Sequence, residues 1–160
     1  EFIRHGQNWE QTEKMREVMK TQCPNVEFKI SPTLSAYNAL HLPTFHRNWV
    51  ERKMIDQDQI YINILSYPYH LRTQILSPKH KLKMKEIYGE HISWLRQTFG
   101  ESAEPTVAQF YAGIEFTLSE DRHDLYMQFL MNNRALDQIR NQHFFSTFPE
   151  FSVDQRITIV

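Results

Sequence analysis

The sequence predicts an α/β fold, and three observations carry that expectation. Helical and strand periodicities alternate through the first part of the chain in the order helix, strand, helix, strand. The second strand segment, Ile60-Tyr61-Ile62-Asn63-Ile64-Leu65, is a nearly continuous apolar run, the pattern of a strand covered on both faces in a parallel sheet. From Ser77 onward the periodicity is helical. With 160 residues, 41% of them hydrophobic, the chain is long enough for one ordinary core.

Asn8 followed by Gln11 resembles a capping box and opens a helix over 9–20, with Met15, Val18 and Met19 on its apolar face. Cys23-Pro24-Asn25 breaks it. Val26, Phe28 and Ile30 alternate with Glu27, Lys29 and Ser31, which predicts a strand over 26–34. Pro32 lies near its end, so Thr33 to Tyr37 should be irregular or an unpaired strand end. Leu42-Pro43-Thr44 opens a second helix, running to Lys53 with Phe45, Trp49 and Val50 on one side. The two strands should be parallel neighbours joined through this helix by a right-handed crossover. Leu71 to Leu76 reads as a short extended piece. Ser77-Pro78 is an N-cap and first-turn pair for a helix over 78–99, which Gly100 should end. A further helix starts near Pro105 with Val107, Phe110, Tyr111 and Ile114 inward. The next runs over 121–140 with Leu125, Phe129, Leu136 and Ile139 on its apolar face. The tail from Phe144 to Phe151 is aromatic, not helical in period, and expected to pack on the body.

Composition narrows the function classes. The chain has 18 basic and 19 acidic residues and a net charge of -1, so it carries no electrostatic footprint for nucleic acid or an anionic membrane. No apolar run approaches the roughly 20 residues of a membrane span, and no basic-then-apolar leader is present. The single cysteine, Cys23, rules out an internal disulfide framework and a cluster held by cysteines of this chain alone. A reducing cytoplasm suits this composition. Two strands do not complete a sheet of parallel character, so sheet neighbours are expected outside the chain. The absence of an initiator Met agrees with a piece of a longer protein.

The chemistry-bearing motifs are few. Eight histidines form no metal-binding helical pair, and His41 and His46 read as surface or helix-cap residues. No glycine-rich phosphate loop or nucleophile elbow occurs, and Cys23 reads as an inert thiol. Three places stand out. Arg4, before Gly6 and a helix start, could clamp a carboxylate or make an ordinary surface ion pair. Ser31, Thr33 and Ser35 share one side of an extended segment, where they would line a pocket or face solvent. Asn63 interrupts the apolar run that leads to Tyr67-Pro68-Tyr69, in the position of a ligand-carrying loop or a plain proline turn.

The order and spacing of these places resemble the back half of radical S-adenosylmethionine (radical SAM) enzymes. The opening Glu1-Phe2-Ile3-Arg4-His5-Gly6 with Asn8-Trp9 resembles the segment after the fourth barrel strand. Thr33 to Asn38 with Leu42-Pro43 resembles the fifth strand and its exit, and Ile60 to Pro68 the sixth. Leu136 to Phe145, then Phe148 to Phe151, resemble the C-terminal helix and tail of twitch-domain-containing radical SAM proteins. The resemblance implies the C-terminal part of a partial (β/α)6 TIM-like barrel over 1–76, with the last two strands. A helical extension with an aromatic tail then occupies 77–160. It implies SAM and a [4Fe-4S] cluster as cofactors, with the cluster cysteines outside this chain. It further implies cleavage of SAM to a 5′-deoxyadenosyl radical, a reductant such as ferredoxin or flavodoxin, and an unidentified substrate, with peptides among the candidates. Arg4, Ser31, Thr33, Ser35, Asn38, Asn63 and Tyr67 become the SAM-binding candidates. Of these, Ser31, Thr33, Ser35, Asn38 and Asn63 are expected to line the barrel interior near SAM, the alternative phase turning Ser31, Thr33 and Ser35 against the outer helices. In the family an Arg matching Arg4 helps hold the SAM carboxylate, and Asn38 matches a recurrent Asn. No catalytic or metal-ligating residue is assigned. The alternative is a non-catalytic module that binds a peptide or protein partner through the aromatic tail.

Overall fold

A computed structural model describes residues 2–152. The chain divides into two compact units. One is formed by residues 23–126, the other by the described residues of 1–22 and 127–160. This division does not follow the expected boundary after residue 76. The helices between Ser77 and Glu120 share a core with the strands before Ser77.

In the larger unit, β1 (Thr33–Leu34) and β2 (Asn63–Ile64) pair in parallel, with α2 (Leu42–Glu51) in the connection between them. Backbone bonds extend the ladder beyond these short strands: Ile30 N donates to Gln59 O and Tyr61 N to Ile30 O, both at 2.9 Å. Asn63 N then donates to Pro32 O at 2.9 Å, and Leu65 N to Leu34 O at 3.1 Å. Two 3₁₀ turns, Tyr69–Leu71 and Thr73–Ile75, occupy the segment expected to be extended. Then come α3 (Pro78–Phe99) and α4 (Glu104–Ser119), which pack on each other. The α3 boundaries are those the caps predict: Ser77 Oγ accepts from His80 N, and Gly100 takes a positive φ of 60°.

The partial-barrel expectation is overturned: the fold is helical, and its only described sheet has two strands of two residues each. The physical reasons are local. Pro32 has no N–H to give the ladder. The run 60–65 is covered on one face only: Ile60 and Ile62 are buried, whereas Tyr61 is 62% exposed and Asn63 is exposed. The outer edge of β2 is occupied by a side chain. Gln109 Nε2 donates to Ile60 O at 3.0 Å and its Oε1 accepts from Ile62 N at 2.8 Å, as a neighbouring strand would. Helix α4 thereby stands where a third strand could pair. Its packing is tight, since a Cβ on Gly113 would lie 2.9 Å from Leu34 Cδ2.

The smaller unit contains α1 (Trp9–Gln22), most of α5 (Tyr126–Arg140) and the short α6 (Phe144–Thr147). Asn8 caps α1, its Oδ1 accepting from Gln11 N at 2.9 Å. The helix expected to begin at Asp121 is preceded by a 3₁₀ turn, His123–Leu125. Ile139, expected inward, is 80% exposed, and Tyr111 on α4 is 42% exposed. The aromatic tail forms a helical turn rather than an irregular stretch. The Asp137 carboxylate accepts from Phe144 N at 3.0 Å and starts that turn. Phe129, Phe144 and Phe151 are buried, and Phe2 and Phe148 pack against Phe144. No helix among the described residues is long and apolar enough to cross a membrane.

Candidate functional site

Strand alternation sets the first candidate site. Ile30, Leu34, Ile60 and Ile62 turn toward the helices, so Ser31, Thr33, Tyr61 and Asn63 fall on the opposite, solvent-exposed face. Asn63 Nδ2 donates to Ser31 Oγ at 2.7 Å across the two strands. Thr33 lies opposite Asn63 in the parallel register. Ser35 leaves this face and is buried in the turn that follows β1.

Asn38 organises that turn. Its Oδ1 accepts from Ser35 N at 2.8 Å, and its Nδ2 donates to Thr33 O at 3.0 Å. Its backbone carbonyl also accepts from Leu42 N at 2.9 Å, where α2 begins. An amide fits this position because it offers a donor and an acceptor to two backbone groups of opposite kind.

Beyond β2, a cis Tyr67–Pro68 bond leads into an aromatic turn. Tyr67 is 74% exposed and its ring meets Tyr69 edge-on at 5.8 Å. The Arg72 guanidinium lies 4.2 Å from the Tyr69 ring centre, and its Nε donates to Ser66 O at 2.7 Å. Ser31, Thr33 and Asn63 thus share an open, solvent-exposed face of the strand pair, not the enclosed barrel interior expected for them, with the Tyr67 turn following β2. Ser35 and Asn38 build the β1 exit instead. Arg4 is exposed and belongs to the other compact unit.

A second constellation lies in the core, and the sequence reading missed it. His46 of α2 is not a surface residue: it is fully buried, and its Nδ1 lies 3.0 Å from His91 Nε2 on α3. The Phe110 ring of α4 flanks both imidazoles. Burial holds His46 down to about 4, with the Gln57 backbone opposing it. Burial first, then the charges of His46 and Arg47, holds His91 down to about 3. At neutral pH both rings are uncharged, so one nitrogen of the pair donates and the other accepts. His46 Nε2 is buried without a hydrogen bond of ordinary geometry, as is the nearby Tyr88 hydroxyl. Burial drives that phenol far above its usual range. The signal was in the sequence: Leu42, His46 and Trp49 fall at i, i+4, i+7, and Tyr88, His91, Ile92 and Leu95 likewise form one helix face.

No cluster of three or more His, Cys, Asp or Glu suited to a metal ion occurs among the described residues. Cys23 is a free, exposed thiol. No family model, curated protein or solved structure matches the chain.

Proposed function

We propose that the chain is the C-terminal portion of a radical SAM enzyme and contributes polar contacts to the nucleoside end of SAM. The observation that carries this reading is the parallel β1–α2–β2 unit, which sets Ser31, Thr33 and Asn63 together on one open face. Hydroxyls and an amide can exchange hydrogen bonds with ribose hydroxyls, and an exposed tyrosine after the strand offers a planar surface to a purine. The ordered resemblance of Arg4, Thr33 to Asn38 and Ile60 to Pro68 supports the same reading. The chain's donor set does not fit the [4Fe-4S] cluster, because one cysteine cannot replace three. The cluster cysteines therefore belong outside this chain, and no step of the reaction is assigned to its residues. When bound to the cluster, SAM would be cleaved reductively, with ferredoxin or flavodoxin as electron donor, and the substrate would lose a hydrogen atom.

The test is to express the chain together with the coding sequence that precedes it and reconstitute the product anaerobically with iron and sulfide. The expected result is a [4Fe-4S]⁺ electron paramagnetic resonance signal that shifts on addition of SAM, with formation of 5′-deoxyadenosine under reduction. A product with no three-cysteine motif and no SAM-dependent signal overturns the proposal. The rival reading, partner binding through the aromatic tail, has less support, because Phe144 and Phe151 are buried within their own unit.

A further inference from the structure

We infer that the exposed face of α5 is a two-fold interface, on which a second copy of the chain lays its own α5 antiparallel. The inference goes beyond the radical SAM proposal and does not depend on it. It starts from apolar side chains that the fold leaves outside. Met127, Met131, Ala135 and Ile139 follow one another at four-residue spacing along α5, so they form one ridge on the helix. All four are exposed, Met131 by 67% and Ile139 by 80% among them. The unit that carries them has a thin core. Its buried apolar side chains among the described residues are Phe2, Phe129, Phe144 and Phe151, and α1 buries none. A unit this small gains stability by association.

The order of residues along the helix selects the occupant. An interface about a two-fold axis is complementary to itself: where residue i meets residue j of the other copy, j also meets i. Helix α5 meets this condition about Asn133, because its apolar and polar positions read alike in both directions. Met127 answers Ile139, Gln128 answers Gln138, and Leu130 answers Leu136. Met131 answers Ala135, and Asn132 answers Arg134. The exception is Phe129 with Asp137, and neither is offered to a second copy. Phe129 is buried, and the Asp137 carboxylate accepts from Phe144 N at 3.0 Å.

An antiparallel pair therefore sets apolar against apolar and amide against amide. The long Met131 side chain meets the gap that Ala135 of the second copy leaves, once on each side of the axis. A parallel pair would bring Ala135 level with Ala135 and leave that gap unfilled. Gln128 and Gln138 each carry a donor and an acceptor, so they can bond across the flank. Arg134, the one charged residue exposed on α5, falls level with Asn132 of the second copy. A partner of another sequence would need the apolar ridge but not its palindrome. One helix face falls short of the roughly 1,200 Å² that stable interfaces bury, so the dissociation constant should be on the order of 10–100 µM.

The experiment is sedimentation equilibrium of the whole chain from about 5 to about 500 µM, which brackets that constant. It is paired with ¹³C-methyl spectra of the six methionines. The expected result is a monomer–dimer equilibrium. Methyl shifts should follow concentration at Met127 and Met131, and not at Met15, Met19, Met54 or Met84. Met131→Lys and Ala135→Glu should each weaken the dimer about tenfold or more, because each buries an unpaired charge at the axis. Mixed in equal amounts, the two variants should recover an affinity within about threefold of the parent. In that mixed antiparallel pair the new cation meets the new anion, and the other half keeps Met131 against Ala135. Both substitutions are at exposed positions, so circular dichroism of the monomer should stay at the parent value. A chain that stays monomeric at the highest concentration overturns the inference. So do methyl shifts confined to other methionines, unchanged association in the single variants, or a mixture that does not recover it.

Discussion

His46 and His91 show what a buried ionisable pair does when neither partner can hold a charge. Both fold with imidazoles well below their usual pKa of about 6.5. As pH falls through about 6.5 the unfolded chain takes up these protons and the folded chain does not. The stability present above that pH is therefore lost on acidification, by on the order of 1 kcal/mol per pH unit for each residue. The loss from His46 levels off near pH 4 and that from His91 near pH 3. Urea unfolding between pH 7 and pH 4.5 should show this slope, and His91→Gln should reduce it by about half, because one of two titrating groups is gone. An unchanged slope would count against the pair as its source. Arg4 poses the opposite case, an exposed guanidinium with no hydrogen bond or ion pair among the described residues. On the radical SAM proposal, Arg4→Ala in the longer protein should weaken SAM binding by about 1.5–3 kcal/mol, the contribution of a hydrogen bond to a charged group. Calorimetry with unchanged affinity would remove Arg4 from the site. His46 was legible in the helical period of Leu42, His46 and Trp49, and was misread because a histidine beside a proline turn suggests a cap. Asn38 was legible as special. Its hydrogen bonds to Thr33 and Ser35, which depend on the turn closing in space, were not.

Element boundaries were read best where chemistry is local. The Ser77-Pro78 start and the Gly100 stop of α3 depend on residues adjacent in sequence, and the structure places both where the sequence does. The parallel pairing of the two strand segments and the helix between them were legible for a similar reason, since alternation and helix period are short-range patterns. Strand length was not legible, because it depends on what meets the edges. Gln109 lies more than forty residues from Ile60 and Ile62, and no pattern near the strand announces that its amide will occupy their hydrogen-bonding groups. Replacing Gln109 with Leu keeps a helix former of similar size and leaves the Ile60 carbonyl and Ile62 N–H without their partner. Each unsatisfied group in a covered position costs about 1–3 kcal/mol, so with two such groups the variant should lose about 2–6 kcal/mol in denaturant unfolding. Hydrogen exchange at the Ile62 amide should accelerate by more than the global loss predicts if an alternative bond does not form. Wild-type stability in Gln109→Leu would show that water replaces the side chain without penalty and that the edge was never closed by it.

At the scale of the whole chain, the expected partition put strands before residue 76 and helices after it, following sequence order. The structure partitions by contact instead. Residues 23–126 enclose their own core: Leu34, Met54, Ile75, Leu76, Met84, Tyr88, Leu95 and Phe110 are each at most 1% exposed. The strand pair contributes to that core, and α3 and α4 complete it. A sequence pass sees only neighbours, so it could not show that α4 reaches back over β1 and β2. This partition makes a specific prediction about independence. Residues 23–126 expressed alone should fold, because the buried side chains and the Gln109 and Asn38 hydrogen bonds all lie inside that span. The fragment should unfold in one cooperative thermal transition, and its amide spectrum should be dispersed. The acid sensitivity of the His46–His91 pair should persist in it, since both rings and the flanking Phe110 are retained. The polar face of Ser31, Thr33 and Asn63 should persist as well. A fragment that binds hydrophobic dye, lacks a cooperative transition and gives a collapsed spectrum would show that residues 2–22 and 127–152 supply stability the larger unit lacks.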